Sequence, residues 1–259
     1  MKKILSLLIL TILSSQLLFA NIVLKVGASP VPHAEVLENI KPLLKEKGID
    51  LKIVEFNEYV TPNLDLANKD LDANFFQHIP YLEKFKRERN LKLSQVGDVL
   101  IGPIALYSKK HKSLDELNKK DTIAIPNDPS NGGRALILLH NKGIITLADP
   151  TNLFATEFDI IKNPKKLKFK SLEAPQLPRV LDDVDFAVIN SNYAIQGGLS
   201  PVKDELLRED KNSPYVNVVA VRQGDEQNET VLELVKALRS QKSKDFILKK
   251  YQGSIIPTF

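Results

Sequence analysis

The chain has 259 residues, no Cys and a single Met, the initiator. It therefore holds no disulfide, thiolate zinc site, Cys nucleophile or iron–sulfur cluster. The formal net charge is +4, with 43% hydrophobic and 26% charged residues. That balance builds a globular core and gives little to attract nucleic acid.

Met1-Lys2-Lys3, the apolar run 4–13 and Leu18-Phe19-Ala20 together have the build of a secretory signal peptide over 1–20. The apolar part is shorter than the ~20 residues a spanning helix needs. No Cys follows to carry a lipid. The expectation is a periplasmic protein, soluble after cleavage, the alternative being a tether formed by an uncleaved N-terminal segment.

Residues 22–28 (IVLKVGA) read as a first strand. A helix is predicted from about His33, with Val36, Leu37, Ile40, Leu43 and Leu44 on one face and Pro42 predicting a kink or a restart. Gly48 ends it. Strands follow at 51–56 and 71–76, then a charged amphipathic helix at 81–89. The apolar run 99–107 is broken by Gly102-Pro103, which a central strand would not carry, so it is read as a crossing between lobes. Ser113 to Glu116 form a capping box. A strand at 122–125 leads to a turn at 128–133 and a helix at 134–142, apolar on nearly every side and hence buried. Strands at 167–172 and 186–189 flank the Pro-punctuated link 173–178 and the carboxylates Asp182-Asp183, read as helix surface. The strand 216–221 recrosses, and helices 229–239 and 245–251 close the chain. This alternation predicts an α/β protein of two lobes, 21–104 with 216–259 and 105–215, with a ligand cleft between them.

Enzymatic signatures are scarce. The chain has no GxSxG, HExxH, GxxxxGK[ST] or GxGxxG pattern, and its four His residues lie far apart. The expectation is a non-enzyme without metal or cofactor. The informative residues sit at strand ends. A two-residue period places Phe76 and His78 on one strand face and Ala73 and Phe75 on the other, with Tyr81 beside them. This is an aromatic wall able to clasp an apolar side chain, or a half-buried strand with a satisfied His. Arg134 opens an apolar helix where the dipole disfavours a cation. It pairs an anion held at that helix end, with Gly132 and Gly133 allowing close approach, or it turns to solvent. Asn190 ends the strand 186–189, where α/β proteins bind ligands, and Asn192 follows on its face. Asn217 interrupts the apolar VNVVAV. Buried amides need partners, which a ligand's ammonium and carboxylate would supply, as would an edge or a turn.

The stretches FNEYVTPN (56–63), LDANFFQHIPYL (71–82), YSKKHKSLDEL (107–117), IAIPNDPSNGGRALILL (123–139), LEAPQLPR (172–179), FAVINSNYA (186–194) and SPYVNVVAV (213–221) resemble, in order and over nearly the whole chain after the leader, the methionine-binding proteins of ABC importers, the NlpA/MetQ family. The resemblance implies a two-lobed, type II-like periplasmic-binding-protein fold, each lobe a mixed sheet flanked by helices. It implies capture of methionine, the L form with D-methionine as an alternative ligand, and delivery to the membrane subunits of an ABC importer; the chain is separately expected to be a monomer. The family's ligand contacts fall on Tyr59, Phe76, His78, Tyr81, Arg134, Asn190 and Asn217. Tyr59 comes from the resemblance alone. On that implication Arg134 pairs the α-carboxylate, Asn190 and Asn217 hold the α-amino and carboxylate groups, and the four rings enclose the thioether. The family's lipid-bearing Cys is absent. The rival readings are a short peptide or another apolar amino acid as ligand and, from another class, a cleft hydrolase or transferase.

Overall fold

The computed structural model describes residues 22–259, so the leader assigned to 1–20 lies outside the described part. In chain order the first elements are β1 (Ile22–Ala28), α1 (Glu35–Lys45), β2 (Ile49–Glu55), α2 (Thr61–Ala67), β3 (Ala73–His78), α3 (Ile79–Glu88) and β4 (Leu93–Ile101). The middle holds β5 (Ala105–Tyr107), β6 (Thr122–Pro126), α4 (Pro129–Asn141), β7 (Thr146–Leu147), β8 (Ile160–Lys162), β9 (Lys168–Leu172), β10 (Phe186–Ile189), α5 (Ser191–Gln196) and β11 (Leu207–Arg208). The last elements are β12 (Asn217–Arg222), α6 (Glu229–Leu238), α7 (Gln241–Tyr251) and β13 (Ile256–Pro257).

Strands from the two ends of the described chain form one mixed sheet, ordered β13-β4-β12-β3-β1-β2. β1 runs parallel to β2 and β3, and β12 runs antiparallel to β3 and β4. The middle of the chain forms a second mixed sheet, β11-β5-β10-β6-β9. The chain leaves the first sheet through Gly102 and Pro103. A Cβ on Gly102 would come within 2.2 Å of Ser191 Oγ, so the segment passes close to α5 there and a side chain would displace that hydroxyl.

Local sequence explains most of these elements. α1 turns Val36, Leu37, Ile40 and Leu44 into the core of the first sheet, with Leu43 half-buried. Truncating one of these leucines to Ala would cost about 2–5 kcal/mol. The helix runs through Pro42 to Lys45, and the Glu46 N–H bonds Pro42 O at 3.1 Å. α6 and α7 pack on the same face, while α2 and α3 cover the other.

Four expectations shift. The segment 128–133 is the first turn of α4 rather than a turn before it. Asp128 caps the helix by accepting the Asn131 N–H at 3.0 Å, and Pro129 takes the first helical position, where its missing N–H costs nothing. Gly133 is helical because α4 lies hard against the loop behind it, and a Cβ there would meet Leu153 O at 2.4 Å. β3 lies two residues later than expected, at 73–78, and Pro80 is taken into α3. β4 begins six residues before the apolar run, because its first half is solvated on one side and therefore polar. Asp182 and Asp183 stand exposed in a turn after a 3₁₀ segment, with Asp182 accepting from Lys109 at 2.7 Å.

Candidate functional site

The parallel strands present their C-terminal ends to one cavity between the two sheets. His33 follows β1, Tyr59 follows β2, His78 ends β3, Asn131 follows β6 and Asn190 follows β10. Asn217 joins them from the start of β12, because that strand runs the other way and pairs Asn217 with His78. All seven residues read from the sequence line this cavity: Tyr59, Phe76, His78, Tyr81, Arg134, Asn190 and Asn217. So do His33, Gln77, Asn131, Ser191 and Asn192.

One wall is aromatic. The rings of Tyr59 and Phe76 lie 6.0 Å apart, Tyr59 and Tyr81 5.8 Å, and Phe76 and Tyr81 6.2 Å. The Tyr81 hydroxyl donates to Tyr59 O at 2.8 Å, and the Tyr59 hydroxyl donates to Asn192 Oδ1 at 2.7 Å. Burial pushes both phenols well above the ordinary tyrosine range, so they act as neutral donors. Phe75, on the opposite strand face, packs into the core against the edge of His33.

The other wall is a network of amides and imidazoles. The Tyr81 N–H donates to His78 Nδ1 at 3.1 Å, so the imidazole proton sits on Nε2, which faces Asn131 Oδ1 at 3.0 Å. Burial, aided by the nearby Arg134 charge, lowers the His78 pKa to about 3. His33 likewise places Nε2 2.9 Å from Asn217 Oδ1, and burial lowers its pKa to about 4. Asn131 Oδ1 also accepts from Asn190 Nδ2 at 2.7 Å, while Asn131 Nδ2 donates to the Asp128 carboxylate at 2.9 Å. Burial raises the Asp128 pKa against the pull of those amide donors. Asn190 Oδ1 and Asn192 Nδ2 have no hydrogen-bond partner among the described residues, although both are buried. His33 Nδ1 is likewise buried without a partner, so the site keeps polar atoms of both kinds for a guest.

Arg134 stands in the second turn of α4, and its side chain is 2% exposed. The helix end itself is filled by Asp128, so the expected anion site on free backbone N–H groups does not form there. The guanidinium pairs with Glu209, with Nε donating to Oε1 at 2.9 Å and Nη2 to Oε2, and Nη2 also reaches Gly102 O at 3.0 Å. The Tyr215 ring lies 4.4 Å from its centre, a cation–π stack. Among the described residues Nη1 makes no hydrogen bond.

Sequence reasoning missed His33, Asn131 and Glu209. His33 could have been found by the strand-end rule, since it follows β1 as Asn190 follows β10. Asn131 carried the signal of a capped helix start, Asp-Pro-Ser-Asn. Glu209 had no local signal, because it meets Arg134 across 75 positions of sequence. His111 stacks on Phe186 at 4.8 Å and His140 accepts the Leu147 N–H at 3.0 Å, both away from the cavity. Among the described residues no three His, Asp or Glu side chains gather as a metal site.

Residues 24–259 match the family described as NlpA lipoprotein. The D-methionine-binding lipoprotein MetQ of Salmonella typhi is 46% identical over 236 residues, covering 90% of this chain and 87% of that one. A crystallised nutrient binding protein from Burkholderia cenocepacia, bound to methionine, is 47% identical with a TM-score of 0.88, covering 91% of this chain and 100% of that one. An ABC transporter periplasmic substrate-binding protein from Coxiella burnetii is 44% identical with a TM-score of 0.87, covering 90% and 99%.

Proposed function

The chain belongs to the NlpA lipoprotein family, and we propose from that premise that it is the solute-binding protein of an ABC importer, capturing methionine in the cavity between its two sheets. The relatives named for methionine and the neighbour bound to it support this reading. So does the neighbour named as a component of an ABC transporter. The observation that carries it is the division of one cavity into an aromatic half and an amide half.

Tyr59, Phe76 and Tyr81 take the thioether, where each sulfur–aromatic contact is worth about 0.3–1.5 kcal/mol. His78 closes that half as a neutral ring. Asn190 Oδ1 accepts from the α-ammonium, Asn192 Nδ2 donates to the α-carboxylate, and Arg134 faces that carboxylate with Nη1. Asn217, held by His33, orients beside them. A zwitterion buried without such partners would not bind.

The lobes of this reading are 21–104 with 216–259, and 105–215. Bonds between the lobes hold them shut around a ligand, among them Tyr59 to Asn192, His78 to Asn131, and the Tyr193 hydroxyl to Asn57 O at 3.2 Å. Opening breaks them, and closing forms the surface that the importer's membrane subunits read. The protein is a carrier rather than an enzyme, exported to the periplasm and acting as a monomer. Among the described residues no helix is long and apolar enough to cross a membrane.

Native mass spectrometry of protein purified without added ligand tests the reading. The expected result is a retained mass equal to methionine, released on denaturation. A retained dipeptide or another amino acid would overturn the ligand. Calorimetry with L- and D-methionine on stripped protein then orders the two.

A further inference from the structure

We propose that Glu209 decides the charge class of the ligand, making the cavity a site for a zwitterion and against an anion. This rests on the methionine-binding reading above.

Arg134 is the partition between two spaces. On one side is the ligand cavity; on the other is a surface groove of about 980 Å³ that also contacts Ile137, Asn141, Lys142 and Lys211. Glu209 lines the groove alone and grips the guanidinium from behind, through Nε and Nη2. The carboxylate is not free to leave. Glu209 N–H donates to Ile104 O at 3.0 Å and the Ile104 N–H donates to Glu209 Oε2 at 3.4 Å, so the crossing segment fixes it. The two side chains are 2% and 12% exposed, which removes most solvent screening of their attraction.

The Arg134–Glu209 pair therefore presents no net charge to the cavity. Both imidazoles there are neutral: His78 Nδ1 accepts the Tyr81 N–H, and burial of the His33 ring lowers its pKa to about 4. A second carboxylate, Asp128, stands behind Asn131. A guest with a carboxylate and no ammonium would bring an unbalanced charge into this shell. A guest with both groups is neutral and satisfies both amide atoms. Glu209 is thus a positioning and charge-setting residue that touches Arg134 and not the ligand.

The test compares L-methionine with its isosteric α-hydroxy acid, in which a hydroxyl replaces the ammonium, by calorimetry on the full chain and on Glu209→Gln and Glu209→Asp. The wild type is expected to prefer methionine, and Glu209→Gln to narrow the ratio of the two affinities by about tenfold or more, as an unneutralised buried cation attracts the anion. Glu209→Asp, with a shorter arm and a looser pair, is expected to narrow it less, and it carries the comparison if Glu209→Gln does not fold. A merely structural role lowers both affinities together and leaves their ratio alone, so an unchanged ratio in the folded variant overturns the proposal. A wild type that binds the hydroxy acid as tightly as methionine also overturns it. If the wild type binds neither compound, the methionine reading fails and the proposal with it. If it binds methionine and the ratio holds, only the role of Glu209 fails.

Discussion

His78 Nε2 and Asn131 Oδ1 stand 3.0 Å apart, one at the end of β3 and the other in the first turn of α4, so this hydrogen bond links the two sheets at the cavity. Its direction follows from the Tyr81 N–H, which occupies His78 Nδ1 and leaves the proton on Nε2. Asn131 accepts that proton, accepts from Asn190 and donates to Asp128.

Removing Asn131 should therefore undo three connections together. Asn131→Ala is expected to lose about 1–3 kcal/mol of stability and at least about tenfold in methionine affinity, since it orphans His78 Nε2 and Asn190 Nδ2. Urea unfolding and calorimetry check the two numbers. An affinity within twofold of wild type would place the network outside ligand binding.

Arg134→Ala is expected to abolish methionine binding. It should also cost about 3–5 kcal/mol of stability, because Glu209 is left nearly buried without its partner. Arg134→Lys should recover little binding, since one ammonium cannot satisfy Glu209 and Gly102 O and still present a donor to the cavity. Calorimetry and thermal melts of both variants decide it.

Acid should weaken the fold through the cavity histidines. Their pKa values lie at about 4 for His33 and about 3 for His78, against 6.5 for a free imidazole. Below 6.5 the unfolded chain takes up protons that the folded chain refuses. The contribution is therefore whole above 6.5 and is lost as pH falls toward 4 and then 3. Thermal melts from about pH 7 to about pH 4 should show a falling midpoint, and His78→Asn should fall less over that range than wild type. Equal slopes would contradict the assignment.

Gly133→Ala places a methyl against Leu153 O, which is backbone and cannot swing away. The expected cost is about 1–3 kcal/mol, read as a lower urea midpoint. Because the strain sits on the far side of α4 from the cavity, methionine affinity measured on the remaining folded protein should change far less than it does in Asn131→Ala.

Tyr59→Phe keeps the ring and removes the hydroxyl that reaches Asn192 across the cleft at 2.7 Å. The expected loss is about 0.5–1.5 kcal/mol of binding energy. It should come mainly as faster release in stopped-flow displacement, because the bond forms only when the sheets close.

The strands 122–126, 186–189 and 217–222 were legible because each is a short apolar run buried on both faces. β7, β11 and β13, two residues each, were not, because no periodicity exists at that length. The first half of β4 was hidden by its solvated face, and the first turn of α4 by glycines that signal a turn in sequence but serve close packing in the fold.

Within the site, Phe76 and His78 could be read from a two-residue period, Tyr81 from its place beside that strand and Asn190 from its place at a strand end. Tyr59 lies in an irregular loop and was visible only through family resemblance. Composition by itself determined that no cysteine chemistry is available to this chain, and hydrophobic patterning determined an α/β protein whose chain leaves its first sheet at Gly102-Pro103. Only the tertiary structure decided that Arg134 is paired, that Asp128 fills the helix end and that two of four histidines share a cavity as neutral rings. The physical reason is distance along the chain. Pattern reports what a residue does to its near neighbours, whereas charge state and hydrogen-bond direction are set by groups that meet only when both sheets are folded and closed.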